Sequence, residues 1–172
     1  MIYELILRIF GAGIAGVIQF LPLSVGYQAA DPSLTAAATL TEPVTAEARR
    51  LVEKNMPLRI VYDWSLIVND ARAYRSSTLN ELKWENNRWL LNGAPLSASF
   101  DTVQYRIGRS IVRFPGFKFD EGDRIIIFVK ATLRPDSAFT ASTRMRTDVL
   151  WNCYIPTRKE TFLFTNGRFE RE

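Results

Sequence analysis

The chain contains no histidine and only one cysteine, Cys153, in 172 residues. Without histidine there can be no Ser-His or Cys-His catalytic pair, no histidine-bearing zinc site and no histidine pH switch. A single cysteine excludes an intramolecular disulfide and a thiolate zinc cluster. Within Trp151-Asn-Cys-Tyr-Ile155, Cys153 reads as a small buried apolar side chain rather than a nucleophile. Basic residues outnumber acidic ones to give a net charge of +4, yet no Lys/Arg block or basic stripe with interleaved aromatics occurs, so nucleic acid is not an expected partner. A mild basic excess instead fits anionic lipid surfaces or acidic partners. Glycine-rich phosphate loops, dinucleotide fingerprints, nucleophile elbows and metal-ligand spacings are all missing, and no cofactor is expected. There is no internal repeat and no low-complexity tract.

What is present is a globular composition. A hydrophobic share of 47% with 23% charged residues excludes wholesale disorder, and the length suits one domain plus an appendage. The most telling stretch is Arg124 to Leu133, β-branched and aromatic, bounded by Asp120-Glu121-Gly122-Asp123 and by Pro135. It predicts a strand in the middle of a sheet, buried on both faces.

The N-terminus predicts export. Arg8 precedes an apolar run from Ile9 through Val25 that closes on Ser24-Val25-Gly26, small at the positions a signal peptidase inspects, with Gln28-Ala29-Ala30 as a second cut. Residues 1–30 are therefore expected to be a signal peptide or, uncleaved, a membrane anchor over residues 9–26. The alternative reading is an apolar first element of a soluble domain. A single β-rich domain is expected over 31–167, followed by a charged, frayed tail at 168–172.

Along the domain, Leu34, Ala36, Ala38 and Leu40 alternate as in a strand. Val44, Ala48, Leu51 and Val52 follow Pro43 at helical spacing, with Asn55 as a stop. Leu58, Ile60, Tyr62, Trp64, Leu66 and Val68 form the inward face of a long strand that turns at Asn69-Asp70. Residues 71–78 return antiparallel. A hairpin then pairs 79–85 with 88–91 through Asn86-Asn87, and Asn92-Gly93 and Pro95 close the section. A second helix is predicted over 97–109, capped by Ser99, with Phe100, Val103 and Ile107 on one face and Gly108 near its end. Residues 111–119 are apolar but broken at Pro115-Gly116, and 149–155 and 161–164 are short strand candidates. The count predicts an α+β, β-rich fold, a mostly antiparallel sandwich or curled sheet of seven to nine strands with two covering helices.

Four groups are candidate sites, each with a plain structural alternative. Arg134, Arg144 and Arg146 could bind an anion through their guanidinium forks, or form a solvated basic loop. Trp84 and Trp89 flank the Asn86-Asn87 turn and could present a partner surface, or simply pair across the hairpin; Trp64 and Trp151 read as core. Asp120 to Asp123 lacks the spaced ligands of a calcium loop and reads as a turn. Asp63 with Glu81 or Glu85 could serve a hydrolase only at a separation of about 5–9 Å, and such acids are ordinarily surface charges. No metal site and no catalytic residue is predicted.

The apolar N-terminus, the segment Asn55-Met-Pro-Leu-Arg-Ile-Val-Tyr62, the later Ile125-Ile-Ile-Phe-Val-Lys-Ala-Thr-Leu133 and the downstream Trp151 together resemble an uncharacterised family of exported bacterial proteins, a domain of unknown function (family 4390). The resemblance spans roughly residues 33 to 165. It implies export and a noncatalytic role, and it carries no catalytic residues. The expectation is a noncatalytic envelope protein, periplasmic or held at the inner membrane, a binding or accessory module beside a membrane-associated protein partner. If the N-terminal segment is not cleaved, it also contacts the membrane. The alternatives are a periplasmic carrier of a small apolar or anionic ligand and a carboxylate-dependent hydrolase.

Overall fold

The structure, a computed structural model, describes residues 18–96, 99–134, 151 and 155–172. Among these residues it is a β-rich α+β sandwich of two antiparallel sheets with two helices. The strands are β1 (Ser24–Gln28), β2 (Ser33–Thr39), β3 (Leu58–Val68), β4 (Arg72–Glu85), β5 (Arg88–Leu91), β6 (Ala94–Leu96), β7 (Arg109–Pro115), β8 (Arg124–Arg134), β9 (Thr157–Thr165) and β10 (Arg168–Arg171). The helices are α1 (Ala46–Glu53) and α2 (Phe100–Gly108). The larger sheet runs in the order β10-β9-β8-β3-β4-β5-β6, and the smaller is β1-β2-β7.

Local chemistry explains most of these elements. Asn69 and Asp70 both take positive φ, as do Asn86 and Asn87, and then Asn92 and Gly93. Asn86-Asn87 and Asn92-Gly93 build the left-handed two-residue turn whose twist matches a β-hairpin, and Asn69-Asp70 turns the chain with Ala71 as a third loop residue, since Val68 pairs with Arg72. The third turn adds β6, where the sequence suggested only a closing turn. No turn residue separates Thr78 from Leu79, so β4 continues through the point where two strands were expected. Helix α1 starts at Ala46 rather than at Pro43 because Thr45 caps it, its hydroxyl accepting from the Ala48 N–H at 3.2 Å. Gly108 ends α2 where the chain passes close to Leu40; a Cβ there would lie 2.7 Å from the Leu40 carbonyl oxygen.

The pair β3–β8 forms the middle of the larger sheet. On its inner face Ile60, Tyr62, Trp64 and Leu66 meet Ile125, Ile127, Val129 and Ala131, all buried. Strand β8 is buried on this face alone. Ile126 and Phe128 on the opposite face are only half-buried, because an antiparallel sheet needs one covered side and the second can meet solvent. Strand β2, through Leu34, Ala36 and Ala38, packs with α1 and α2 over the inner face in one contiguous core.

Both ends of the domain lie outside the expected limits. Ile18, Phe20 and Leu23 are buried, and β1 pairs with β2 from Ser24↔Ala37 to Gln28↔Ser33. The apolar run that suggested a leader up to residue 30 therefore supplies core from Ile18 onward. From Leu23 to Tyr27 the inward Leu23, Val25 and Tyr27 alternate with Ser24 and Gly26, a strand period hidden inside a hydrophobic run. At the other end, 168–171 is no frayed tail but β10, with Phe169 packed on the core and opposite Phe164. The strand candidate at 149–155 falls mostly outside the described residues. Its Trp151 sits in a turn, buried, and donates Nε1–H to the Pro43 carbonyl at 2.9 Å. Cys153 also lies outside the described residues.

A chain starting at Asp31 loses the whole of β1 and three buried side chains, each worth roughly 2 kcal/mol. Circular-dichroism melting is expected to show no cooperative transition for that chain, whereas a chain starting at Ile18 melts cooperatively. A cooperative melt of the Asp31 chain would show β1 to be dispensable.

Candidate functional site

The described members of the predicted set, Arg134, Trp84 and Trp89, lie on the larger sheet. Arg134 closes β8, exposed, opposite Arg59 on β3, which is in turn opposite Glu81 on β4. Arg59 Nε donates to Glu81 Oε2 at 2.5 Å, and Lys83 Nζ lies 2.8 Å from Glu81 Oε1. Burial alone would raise the Glu81 carboxyl, but hydrogen bonds and charge from Lys83 and Arg59 outweigh it and hold the group below the ordinary glutamate value. The same contact raises Lys83. Arg144 and Arg146 lie outside the described residues, so of the predicted anion-binding trio only Arg134 is placed.

Trp84 and Trp89 pair across the β4–β5 hairpin, ring centroids 4.7 Å apart at 62°. They have different surroundings. Trp89 is buried and meets Phe100 of α2 at 5.6 Å, and Arg49 of α1 covers that Phe100 ring at 4.3 Å. Trp84 is half-buried and lines an open cleft of about 510 Å³ with Asn55, Pro57, Lys83, Glu85 and Asn86. The cleft thus offers one aromatic face, with the Lys83 amine and the Glu85 carboxylate beside it. Such an arrangement can stack a flat or extended group, but it does not enclose one.

The carboxylates have structural partners. Asp63 accepts from the Ser77 hydroxyl at 2.6 Å. It lies four residues along β3 from Arg59, the residue opposite Glu81. At strand rise that is about 13 Å, beyond the 5–9.5 Å a glycosidase pair needs. In the acidic turn, Asp123 accepts from the Asp120 N–H and from the Asn69 amide, both at 2.8 Å, while Glu121 accepts from the Asn166 N–H at 3.0 Å. These bonds staple the β3–β4 turn, the turn that leads into β8 and the β9–β10 turn together. No group of three or more Cys, Asp or Glu side chains among the described residues is placed to hold a metal ion.

The sequence reading missed a cluster centred on Glu160, a carboxylate buried on the inner face of β9. Its Oε1 accepts from Arg158 Nε at 2.6 Å and from the Leu23 N–H at 3.3 Å, and its Oε2 accepts from Arg171 Nε at 2.8 Å. Arg171 Nη2 also donates to the Leu23 carbonyl at 2.7 Å. The signal was available, since Glu160 shares the period of Phe162 and Phe164. This cluster ties the chain just before β1 to β9 and β10, and so bridges the edges of the two sheets. A second cleft, about 450 Å³, lies at the far end beside Tyr74, Phe117, Lys118 and Asp120.

Replacing Glu160 by Ala leaves two partly solvated guanidinium groups and frees Leu23, with an expected loss of about 2 kcal/mol in urea unfolding. An unchanged midpoint would remove the cluster from the account of how β1 is held. For Glu81, whose folded-state pKa is depressed, the contributed stability is present above the unfolded glutamate value and is lost as pH falls through the folded one. Denaturant titrations are expected to show the wild type ahead of Glu81→Gln at neutral pH, with the gap closing in acid. A gap independent of pH would contradict this. Comparison with family models, with curated proteins and with solved structures returned no match for this chain.

Proposed function

We propose that the protein is an exported, noncatalytic accessory module of the cell envelope that acts by contact beside a membrane partner. The observation that carries this reading is what the polar side chains do. Among the described residues Glu160, Asp123, Glu121, Asp63 and Glu81 each engage groups that hold strands or turns together. The Tyr62 phenol, buried and donating to the Ile107 carbonyl at 2.9 Å, is pushed by burial well above its ordinary pKa and stays a hydrogen-bond donor. The two clefts described above are open rather than enclosed, which suits surface recognition better than carriage of a small molecule. The apolar residues ahead of Ile18 support export, and a resemblance to an exported bacterial family points the same way.

Intact mass and cell fraction of the native protein, made with its own N-terminus, test this. The expected product is an envelope species that still contains Ile18 and everything after it, either cut upstream of that residue or retained at the membrane. A full-length soluble cytoplasmic species would overturn export. A saturable hydrolytic activity lost with one carboxylate would overturn the noncatalytic role.

A further inference from the structure

The outer face of the larger sheet departs from what a solvated face should look like. Strand register sets its side chains in rows across β4, β3, β8 and β9. One row reads Ala73, Ile67, Ile126, Thr161; the next Arg75, Ser65, Phe128, Lys159; the next Ser77, Asp63, Lys130, Thr157; then Leu79, Val61, Thr132. Ile67, Ile126 and Phe128, each half-buried, thus form an apolar patch over two adjacent rows of a face where polar residues are the norm, and Leu79, 51% exposed, lies beyond the polar Asp63–Lys130 row next to the buried Val61. Arg75 and Lys159, both exposed, stand on either side of Phe128, with Lys130 in the next row. Asp63 is the one carboxylate that β3, β4, β8 and β9 place in these rows, and Glu172, beside Thr161 at the β10 edge of the first row, is paired with Arg124 at 2.8 Å.

We infer that this face docks on an anionic lipid bilayer, with Phe128 and its apolar neighbours entering the headgroup region and Arg75, Lys130 and Lys159 meeting lipid phosphates. Three observations select that occupant. Cations flanking apolar side chains complement an anionic surface that is wet outside and greasy beneath. A second copy of this chain would bring the same cations against each other. A peptide binds in a groove or along a sheet edge; neither cleft described above reaches these rows, and Phe128 lies on an interior strand. The inference deepens the accessory reading, but it is measured on purified protein, so its result stands whether or not the chain proves to be exported.

The test is co-sedimentation of the full chain with vesicles of phosphatidylcholine alone and of phosphatidylcholine mixed with phosphatidylglycerol. The expected result is pelleting with the mixed vesicles only, weakened by added salt. Partitioning should fall on the order of 100-fold in the triple variant Arg75→Ala, Lys130→Ala, Lys159→Ala. Thermal melting checks that the variant is folded, and the single exchange Lys159→Glu at an exposed position replaces it if it is not. Equal pelleting with both vesicle types would assign binding to the apolar N-terminus and overturn the inference. So would a triple variant that binds as well as the parent, or binding to polyglutamate with none to either vesicle.

Discussion

The middle of the larger sheet is the ten-pair ladder between β3 and β8, and among the described elements the smaller sheet and the two helices pack over its inner face. Two of the largest side chains on that face carry polar tips that cannot be buried alone. Tyr62 finds the Ile107 carbonyl, and Trp64 Nε1 finds the Ser110 hydroxyl at 3.1 Å, which in turn lies 2.6 Å from the Thr78 hydroxyl. These bonds set where α2 ends and β7 begins against the sheet. Asn80 adds amide bonds to the Ile107 and Arg109 carbonyls, both at 2.8 Å. The smaller sheet is thereby positioned along one side by directional contacts as well as by apolar packing.

The opposite side is closed differently. There β1 lies beside β10, and the Glu160–Arg171 cluster holds Leu23 while an aromatic group seals the end. Tyr27 meets Phe119 at 5.2 Å and Phe164 at 5.3 Å, both edge to face, and Phe169 meets Phe119 at 4.9 Å. Edge-to-face packing lets several rings fill an irregular gap at native density. With charge used to latch edges and rings used to fill the end, the described surface keeps the Trp84 cleft, the cleft beside Tyr74 and Phe117, and the mixed outer face of the sheet.

Much of this fold is legible in the sequence, because strand period and turn chemistry are local. The alternation from Leu58 to Leu66, the three Asn/Asp/Gly turn pairs and the Val44–Val52 helical spacing each announce their element without reference to the rest of the chain. Candidate sites are less legible. Trp84 and Trp89 look equivalent from the hairpin, and only the position of Phe100 makes one core and leaves the other facing a cleft.

The tertiary structure decided the matters that depend on which surface finds a cover. Residues 18–28 are apolar enough to serve a leader or a strand, and the choice follows from β2 offering an unpaired edge and from Glu160 and Arg171 waiting at Leu23. The charged 168–171 segment becomes a strand because Phe169 has an aromatic cluster to enter. Composition and period alone determined that this is a β-rich, antiparallel protein without histidine or disulfide chemistry. Burial is a property of pairs of surfaces distant in sequence, so which strands lie at the edges, which face of β8 meets solvent and which carboxylate is buried were set only when the two sheets met.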